Sequence, residues 1–287
     1  MRVCLGLLSP AKLSEVQKLW CGQSTQVTYG CVKRAYKVVC MNLTILGSAG
    51  SYGAPGIACS SYLVQDGTHH LLLDCGNGSF SLLSRVMDPH QLDAVFISHR
   101  HHDHLADLVS LYHYLLFVPP KLGRTIPLLA SAITHQALDS ICGLDLELIF
   151  EKVTIDPKIA IDVGSMSLGF HETDHVPGTL AVRIENTNAK SLCFSADAGP
   201  SDDLAAFCSG ADLLLGEATW LQRPASVGSG LHMTASELGQ LASTAKVDKL
   251  MVTHVAYPND PQMSAHLAGV QFTGETIAAV DLMTIEI

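Results

Sequence analysis

Short apolar runs separated by turn-forming residues recur along most of the sequence and constrain the fold more than any other feature. Runs of this length, rich in branched and aliphatic side chains, predict β-strands. The first run, at Met41, predicts an edge strand that leads into a glycine-rich turn. In chain order the runs are NLTILG, SSYLVQ, HLLLDCG, LDAVFISH, TIPLLAS, LELIFEKVTI, MSLGFHETD, TLAVRIEN, SLCFSADAG, DLLLGEAT, KLMVTHV and AVDLMTIEI. The sequence therefore predicts a protein built largely on β-sheets.

Segments with helical spacing of apolar residues lie between these strands. One of them begins at Thr234, a predicted N-cap, with Glu237 three residues later. The helical segments are GSFSLLSRVM, LADLVSLYHYLLF, HQALDSIC, DDLAAFC, TASELGQLASTA and PQMSAHLAGVQF. Several neighbouring strands are joined by turns too short for a crossover helix, which argues against a regular alternation of strand and helix. We therefore expect an α/β protein in which two packed sheets are flanked by helices.

The length of 287 residues and the hydrophobic content of 48% are sufficient for one domain with a large core. Residues 1–40 show no clean periodicity, so we predict an N-terminal extension of uncertain order followed by a single domain over 41–287. No apolar run reaches the roughly 18 residues needed to cross a membrane, and the N-terminus is too short in its apolar part for a secretory signal. Nine scattered cysteines form no CxxC pair. These features predict a cytoplasmic protein with reduced thiols.

Charge is distributed unevenly along the chain. Residues 1–40 contain six basic side chains and one acidic side chain, which leaves 11 basic and 26 acidic side chains in 41–287, a net charge of −15 there. An acidic body repels a long polyanion, because neutralisation of phosphates is what drives affinity for nucleic acid. The charge pattern thus favours a small substrate over a nucleic acid.

A cluster of histidines around one aspartate follows the apolar run LDAVFI, in the stretch SHRHHDHLAD. Histidine is the commonest metal ligand in proteins, and carboxylates accompany it at sites for hard or borderline cations. His99 and His101 alternate as on an extended segment and can face one point, while Asp103 and His104 begin a helix and can reach a second point. Two adjacent cations are a recurrent arrangement for hydrolysis. We expect a dinuclear metal site here, with His102 pointing away from it.

The stretch from His99 to His104 resembles the HxHxDH motif of the metallo-β-lactamase superfamily, and the resemblance extends from about Met41 to the C-terminus. It implies a four-layer αββα sandwich with the metal site at the edge of the sheets. It further implies that Asp74, in LLLDCG, supports the metal loop from behind. Three later landmarks complete the implied ligand set, namely His175 in DHVPG, Asp197 as a bridging carboxylate in FSADAGP, and His254 in LMVTHV. His171, four residues before His175, is the alternative for the third histidine.

Two further stretches resemble motifs of the ribonuclease Z branch of that superfamily. They are GEATW, which contains Glu217, and GLHMTASELG, which contains His232. Gly216 stands where that branch usually has histidine. In the branch, the glutamate orients the histidine, which gives a proton to the departing alkoxide or stabilises the transferring phosphoryl group. A histidine held by a carboxylate is chemically suited to supply that proton. The pair implies a phosphodiester substrate, with Asp103, Glu217 and His232 as catalytic residues.

The long arm with which ribonuclease Z enzymes clamp tRNA has no room in this chain, since only NTNAKSLC separates AVRIE from FSADAG. With GEATW, HMTASELG and LMVTHV in series, the chain resembles armless bacterial, actinobacterial-type cyclic-nucleotide phosphodiesterases. This resemblance implies a metal-dependent hydrolase of a small phosphodiester such as cAMP. A tRNA-processing ribonuclease Z and a non-catalytic metal-binding protein are the alternatives. The expected cofactors are two divalent ions, zinc first, with manganese or iron as alternatives. The resemblance also leaves a homodimer open, and no membrane partner is expected.

Overall fold

The computed structural model describes residues 40–143, 145–225 and 230–287. Nearly all of the predicted N-terminal extension, 1–40, lies outside the described residues, so the division of the chain at residue 40 stays a prediction. Within the described part, no helix is both long and apolar enough to cross a membrane.

The described residues form two seven-stranded sheets. The strands are β1 (Met41–Gly47), β2 (Ser61–Asp66), β3 (His69–Leu73), β4 (Ala94–Phe96), β5 (Ile126–Ala130), β6 (Phe150–Thr154), β7 (Ile161–Val163), β8 (Met166–Glu172), β9 (Leu180–Asn186), β10 (Ser191–Phe194), β11 (Leu213–Glu217), β12 (Lys249–Thr253), β13 (Glu275–Ala278) and β14 (Thr284–Glu286). One sheet has the order β14-β1-β2-β3-β4-β5-β6 and the other β13-β12-β11-β10-β9-β8-β7.

Both sheets mix antiparallel and parallel pairs. In the first sheet, β3, β4, β5 and β6 are parallel to one another, and the pairs that involve β1 or β2 are antiparallel. In the second sheet, β10 to β13 are parallel, and β7 to β10 pair antiparallel in sequence. In each set of parallel strands, the carboxyl ends therefore open on the same edge of its sheet, which is where α/β proteins commonly place their ligands.

Helices cover the outer faces of the sheets. They are α1 (Ser79–Val86), α2 (His102–Leu105), α3 (Leu108–Phe117), α4 (Ala132–Cys142), α5 (Asp202–Phe207), α6 (Ala235–Ala245) and α7 (Pro261–Gln271), with short 3₁₀ turns at Pro89–Gln91 and Leu146–Leu148. The predicted start of α6 is confirmed: the Thr234 hydroxyl accepts a hydrogen bond from Glu237 N–H, and the Glu237 carboxylate accepts one from Thr234 N–H. This reciprocal pair satisfies two donors that the helix itself leaves unpaired.

Three separate hydrophobic clusters define four layers. The largest lies between the two sheets and includes Tyr62, Phe96 and Phe194. A second lies between the outer face of the second sheet and α5, α6 and α7, and a third lies between the outer face of the first sheet and α1, α3 and α4. The predicted αββα sandwich is confirmed by this layering, because each sheet buries both of its faces.

Some sequence predictions about individual strands were wrong. β1 is not an edge strand, because the C-terminal β14 pairs with its free side. The short strands β7 and β13 were not predicted, and both lie at the ends of the second sheet. In LELIFEKVTI, the strand begins only at Phe150. Strands of three or four residues at a sheet end are too short to show a clear periodic pattern.

Candidate metal centre

The predicted site residues lie at the ends of strands or directly after them. Asp197 follows β10, Glu217 ends β11 and His254 follows β12, and these three strands run parallel. His99 follows β4 and leads into the short helix α2. The fold therefore brings together residues that are up to about 150 positions apart in the sequence.

One group of ligand atoms, which we call site A, consists of His99 Nε2, His101 Nδ1, His175 Nε2 and Asp197 Oδ2. His101 Nδ1 lies 3.0 Å from His99 Nε2 and 3.2 Å from His175 Nε2. Asp197 Oδ2 lies 3.6 Å from His99 Nε2 and 3.7 Å from His175 Nε2. Four lone pairs from separate parts of the chain thus face one point.

A second group, site B, consists of Asp103 Oδ2, His104 Nε2, His254 Nε2 and Asp197 Oδ1. His104 Nε2 and His254 Nε2 are 3.2 Å apart, and each lies 3.3 Å from Asp197 Oδ1. Asp103 Oδ2 lies 3.4 Å from His104 Nε2 and 3.2 Å from His254 Nε2. The two oxygens of Asp197 therefore face different sites, as a bridging carboxylate would.

Both sites fit a divalent cation. Four ligands placed tetrahedrally at zinc bond lengths of about 2.0 to 2.1 Å are separated from one another by about 3.3 Å, close to the separations found in site B. Asp197 Oδ1 is buried and has no hydrogen-bond donor among the described residues. A buried carboxylate oxygen without a donor is costly, and a cation would satisfy it. The donor set of imidazoles and carboxylates suits zinc, manganese or iron.

Asp74 and Ser98 fix the orientation of one histidine in each site. Asp74 is fully buried, and it accepts hydrogen bonds from His104 Nδ1 at 2.7 Å, Ser98 N at 2.7 Å and the Ser98 hydroxyl at 2.9 Å. Since the Ser98 hydroxyl donates to Asp74, it is free to accept from His99 Nδ1, 3.1 Å away. The Nδ1 atoms of His99 and His104 therefore face these supports, and their Nε2 atoms face the sites. This is the supporting place that the resemblance implied for Asp74.

Glu217 and His232 form a hydrogen-bonded pair beside the two sites. Glu217 is fully buried, and its carboxylate accepts from His232 Nδ1 at 2.9 Å, Ala198 N at 3.0 Å and Thr219 N at 2.9 Å. His232 Nδ1 lies 3.8 Å from Asp197 Oδ2. With Nδ1 engaged by the carboxylate, Nε2 is the ring nitrogen that remains to exchange a proton with a substrate.

Thr219 contacts several predicted site residues, and the sequence did not single it out. Its hydroxyl donates to Glu217 Oε2 at 2.8 Å and can therefore accept from His254 Nδ1 at 2.9 Å. It also lies 3.1 Å from His232 Nδ1. Thr219 thus connects the Glu217–His232 pair to site B. Its position two residues after Glu217 in GEATW was the available signal.

Two glycines permit close packing around the centre. A Cβ on Gly50 would lie 2.4 Å from the His254 carbonyl oxygen and 2.5 Å from His254 Nδ1, so only glycine fits beside this ligand. A Cβ on Gly216 would lie 2.3 Å from Leu238 Cδ1 of α6. Because this atom is the end of a flexible side chain, the contact at Gly216 is less restrictive than the contact of Gly50 with the His254 backbone.

The pKa values of most ligand side chains are shifted in directions that favour binding of a cation. Burial lowers the pKa of His99, His101 and His175, so these rings stay neutral and keep their lone pairs available. Burial alone would raise the pKa of Asp103 and of Asp197, but the imidazoles that face them outweigh it and lower both pKa values. Both carboxylates are therefore ionised at neutral pH.

His232 and His104 differ from the other histidines. Burial lowers the pKa of His232, but the hydrogen bond to Glu217 and its charge outweigh this and raise the pKa above its ordinary value. The carboxylates of Asp197 and Asp74 likewise raise the pKa of His104 despite its burial. His232 lies outside the ligand groups of sites A and B, so its raised pKa suits it to hold a proton.

His171 and His102 both lie away from the centre. His171 is on β8, and its ring stacks on Phe207 at 5.3 Å. His175 occupies the place in site A that the sequence left open between these two histidines. His102 is exposed on α2, as predicted. The structure therefore brings together all nine predicted site residues, and their roles as ligands or catalysts stay predictions.

Known proteins resemble this chain in sequence and in fold. The beta-lactamase superfamily domain matches residues 69–255, a span that contains every predicted site residue. The chain is 30% identical over 221 residues to the probable metallo-hydrolase YhfI of Bacillus subtilis, which covers 76% of this chain and 88% of that protein. The crystal structure of YhfI, a metallo-beta-lactamase fold protein, has a TM-score of 0.79 and 26% identity, and the match covers 87% of this chain and 100% of that chain.

A ribonuclease Z of Pseudomonas putida is also similar. It is 27% identical over 310 aligned residues, which cover 84% of this chain and 95% of that protein. The alignment is longer than the 287 residues of this chain. The ribonuclease therefore contains segments that this chain lacks.

Proposed function

Because this chain belongs to the beta-lactamase superfamily of metallo-hydrolases, we propose that it is a dinuclear metal-dependent phosphodiesterase acting on a small phosphodiester such as a cyclic nucleotide. The observation that carries the proposal is the buried Glu217–His232 pair directly beside sites A and B. A departing alkoxide needs a proton. The Glu217–His232 pair can supply it, whereas the ligands of sites A and B by themselves cannot.

In the proposed reaction, two groups of residues would hold the cations, and Asp197 would contribute to both groups. The first group is His99, His101 and His175, and the second is Asp103, His104 and His254. Bound cations would acidify water and neutralise charge on the phosphate. His232, held through Nδ1 by Glu217, protonates the departing oxygen from Nε2. The side chain of Asp103 is 11% exposed, whereas that of Asp197 is 2% exposed, so Asp103 is the carboxylate placed to orient the attacking water.

Two observations support a small substrate over tRNA. The connection between β9 and β10 is a turn of four residues, in which Asn186 Oδ1 accepts hydrogen bonds from Asn188 N and Lys190 N. No arm extends from this place in the described structure. The net charge of −15 over 41–287 also opposes the approach of a long polyanion.

A ribonuclease Z activity is the second candidate, favoured by the similarity to the Pseudomonas putida enzyme. It would need another means of holding tRNA, and the six basic residues of 1–40 are the available one. Full-length protein and protein that begins at Met41 separate the candidates. Cleavage of a precursor tRNA by the full-length form alone would favour the ribonuclease.

The direct test compares wild type with His232→Ala after loading with zinc, manganese or iron. We expect turnover of cAMP to fall by about 10² to 10⁴-fold in the variant, with metal content unchanged. The loss should be smaller with bis(p-nitrophenyl) phosphate, because nitrophenolate departs without a proton. His171→Ala is the matched control, since that histidine lies on β8 away from the centre.

Three results would count against the proposal. If His232→Ala lowered turnover of cAMP and of bis(p-nitrophenyl) phosphate equally, His232 would not be the residue that protonates the departing oxygen. Wild-type protein that cleaves precursor tRNA but no small phosphodiester would favour the ribonuclease. Bound metal without turnover of any ester would instead indicate a metal-binding protein without catalysis.

A further inference from the structure

Two tyrosines on neighbouring loops beside site B are unusually exposed. Tyr52 is 52% exposed and Tyr257 is 50% exposed, whereas most large apolar side chains in the described residues are buried. The aromatic ring pairs of the described residues do not include Tyr52 or Tyr257. Exposed aromatic rings beside a candidate catalytic centre indicate a binding surface, whereas single exposed rings elsewhere are common and need no explanation.

The loop that carries Tyr52 is fixed directly to site B. Ser51 N donates to Asp103 Oδ2 at 2.8 Å, and Tyr52 is the next residue. Gly50 N donates to the Val255 carbonyl at 3.3 Å, on the residue that follows the ligand His254. The backbone at Tyr52 is therefore one residue away from a contact with a predicted metal ligand.

The loop that carries Tyr257 also lies beside site B. Tyr257 follows His254 by three residues, and Ala256 N donates to the Thr219 carbonyl at 3.3 Å. The Tyr52 hydroxyl donates to the Tyr257 carbonyl at 2.6 Å, so the ring of Tyr52 spans the distance between the two loops. The two tyrosines thus form one connected feature, which we call the tyrosine rim.

We propose that the tyrosine rim binds the nucleobase of a mononucleotide phosphodiester by stacking, while the phosphodiester lies at sites A and B. The inference rests on the proposed phosphodiesterase function and specifies the substrate class for the same centre. Stacking of a base on an aromatic side chain is worth about 1 to 3 kcal/mol and tolerates any base, because every base has a π-face.

The chemistry of the rim fits a small nucleotide better than a polynucleotide. Tyr52 and Tyr257 carry no charge, and Leu231, whose carbonyl accepts from His175 at 2.6 Å beside site A, is also 46% exposed and uncharged. Binding of a polynucleotide requires cationic side chains that follow its backbone. A single base attached to one phosphate needs only a flat apolar surface near the metal centre.

Equilibrium binding on metal-loaded, full-length protein tests the inference without relying on turnover. The probes are AMP and ribose 5-phosphate, which share the phosphate and the sugar and differ by the base. Calorimetry should show AMP bound about 10-fold or more tightly than ribose 5-phosphate by wild type. The AMP advantage should fall by about 10-fold in Tyr52→Ala or in Tyr257→Ala, with binding of ribose 5-phosphate unchanged.

Two matched variants separate stacking from other effects. Tyr52→Phe keeps the ring and removes the hydrogen bond to the Tyr257 carbonyl, so the AMP advantage should stay within about twofold of wild type. Phe117→Ala removes an aromatic ring that is 71% exposed at the end of α3 and should leave the advantage unchanged.

The outcomes distinguish this inference from the proposed function. A wild type that hydrolyses small phosphodiesters but binds AMP and ribose 5-phosphate equally would overturn the rim and leave the function standing. An AMP advantage that survives both alanine substitutions, or that Phe117→Ala reduces equally, would also overturn it. A rim-dependent AMP advantage in a protein without turnover would support the rim and contradict the function.

Discussion

Site A and site B are built from the same kinds of side chain, but the chain supports them differently. In site B, His104 is held by Asp74 at 2.7 Å, His254 by Thr219 at 2.9 Å, and Asp103 accepts from Ser51 N at 2.8 Å. The distances that join the ligand atoms of site B to one another fall between 3.2 and 3.4 Å. The spacing in site B is therefore close to that of four tetrahedral zinc ligands.

Site A is less regular and depends on a loop. Its ligand contacts range from 3.0 to 3.7 Å, and His175 Nδ1 is held by the Leu231 carbonyl, on the residue before His232. The segment that contains His232 therefore also positions His175, a predicted ligand of site A. Site B is thus supported by the sheets and α2, whereas the geometry of site A is coupled to the segment that contains His232.

The largest effect is expected from the residue that both sites share. Asp197→Asn replaces a two-oxygen bridge by an amide whose NH₂ group cannot bind a cation, so at most one ion per chain should remain by elemental analysis. Turnover should fall by at least about 10³-fold, since the cations are worth several kcal/mol in the transition state.

The control for that variant is Asp162→Asn, the same change at an exposed position on β7. It should leave the metal content and turnover at wild-type values. Retention of two ions by Asp197→Asn would contradict the bridging role and the comparison built on it.

Removal of the anchor behind site B should have the next largest effect. In Asp74→Asn an amide N–H would face His104 Nδ1, which favours the tautomer with the proton on Nε2, the wrong nitrogen for a cation. Affinity at site B should fall by about 10 to 100-fold. Chelator competition in a His175→Ala background, where site A is disabled, measures site B alone.

Ser98→Ala is the matched change for site A, because it removes the acceptor of His99 Nδ1 and keeps the contact between Asp74 and His104. In a His254→Ala background it should weaken site A by less than Asp74→Asn weakens site B. Equal losses in the two backgrounds would show that the two sites are supported alike.

Close packing on His254 gives a third way to separate the sites. Gly50→Ala places a methyl group 2.4 Å from the His254 carbonyl oxygen, so the loop or the ligand must move. We expect a loss of about 1 to 3 kcal/mol in the free energy of unfolding and weaker binding at site B, with site A less affected. Gly169→Ala, where an added Cβ meets nothing within 4 Å, should leave both quantities unchanged. Thermal unfolding with and without zinc would check this.

The smallest effect is expected from a change that leaves both ligand sets intact. The Glu217 hydrogen bond and charge outweigh the opposing effect of burial and raise the pKa of His232, so the protonated, active form persists to higher pH. Activity should fall as pH rises through this pKa. Glu217→Gln removes the charge, lowers the pKa and should move the alkaline limb of the kcat profile to lower pH. An unmoved limb would show that another group controls it.

Much of this protein could be predicted from its sequence. Apolar runs and helical spacing identified most of the strands and the six longer helices, because burial on one or two faces of regular elements imposes a period on the chain. The spacing within SHRHHDHLAD indicated two groups of ligands, since His99 and His101 lie on an extended segment and His104 on a helical turn.

Other features were decided only by the tertiary structure. The short edge strands β7 and β13, the return of β14 to β1, and the contacts of Gly50 and Thr219 with His254 depend on how distant segments lie against one another. Likewise, only the tertiary structure places His175, and not His171, beside the other predicted ligands of site A. Local patterns record which residues are buried in one element. The partner of a given atom depends instead on the packing of elements up to about 240 residues apart, which no local period encodes.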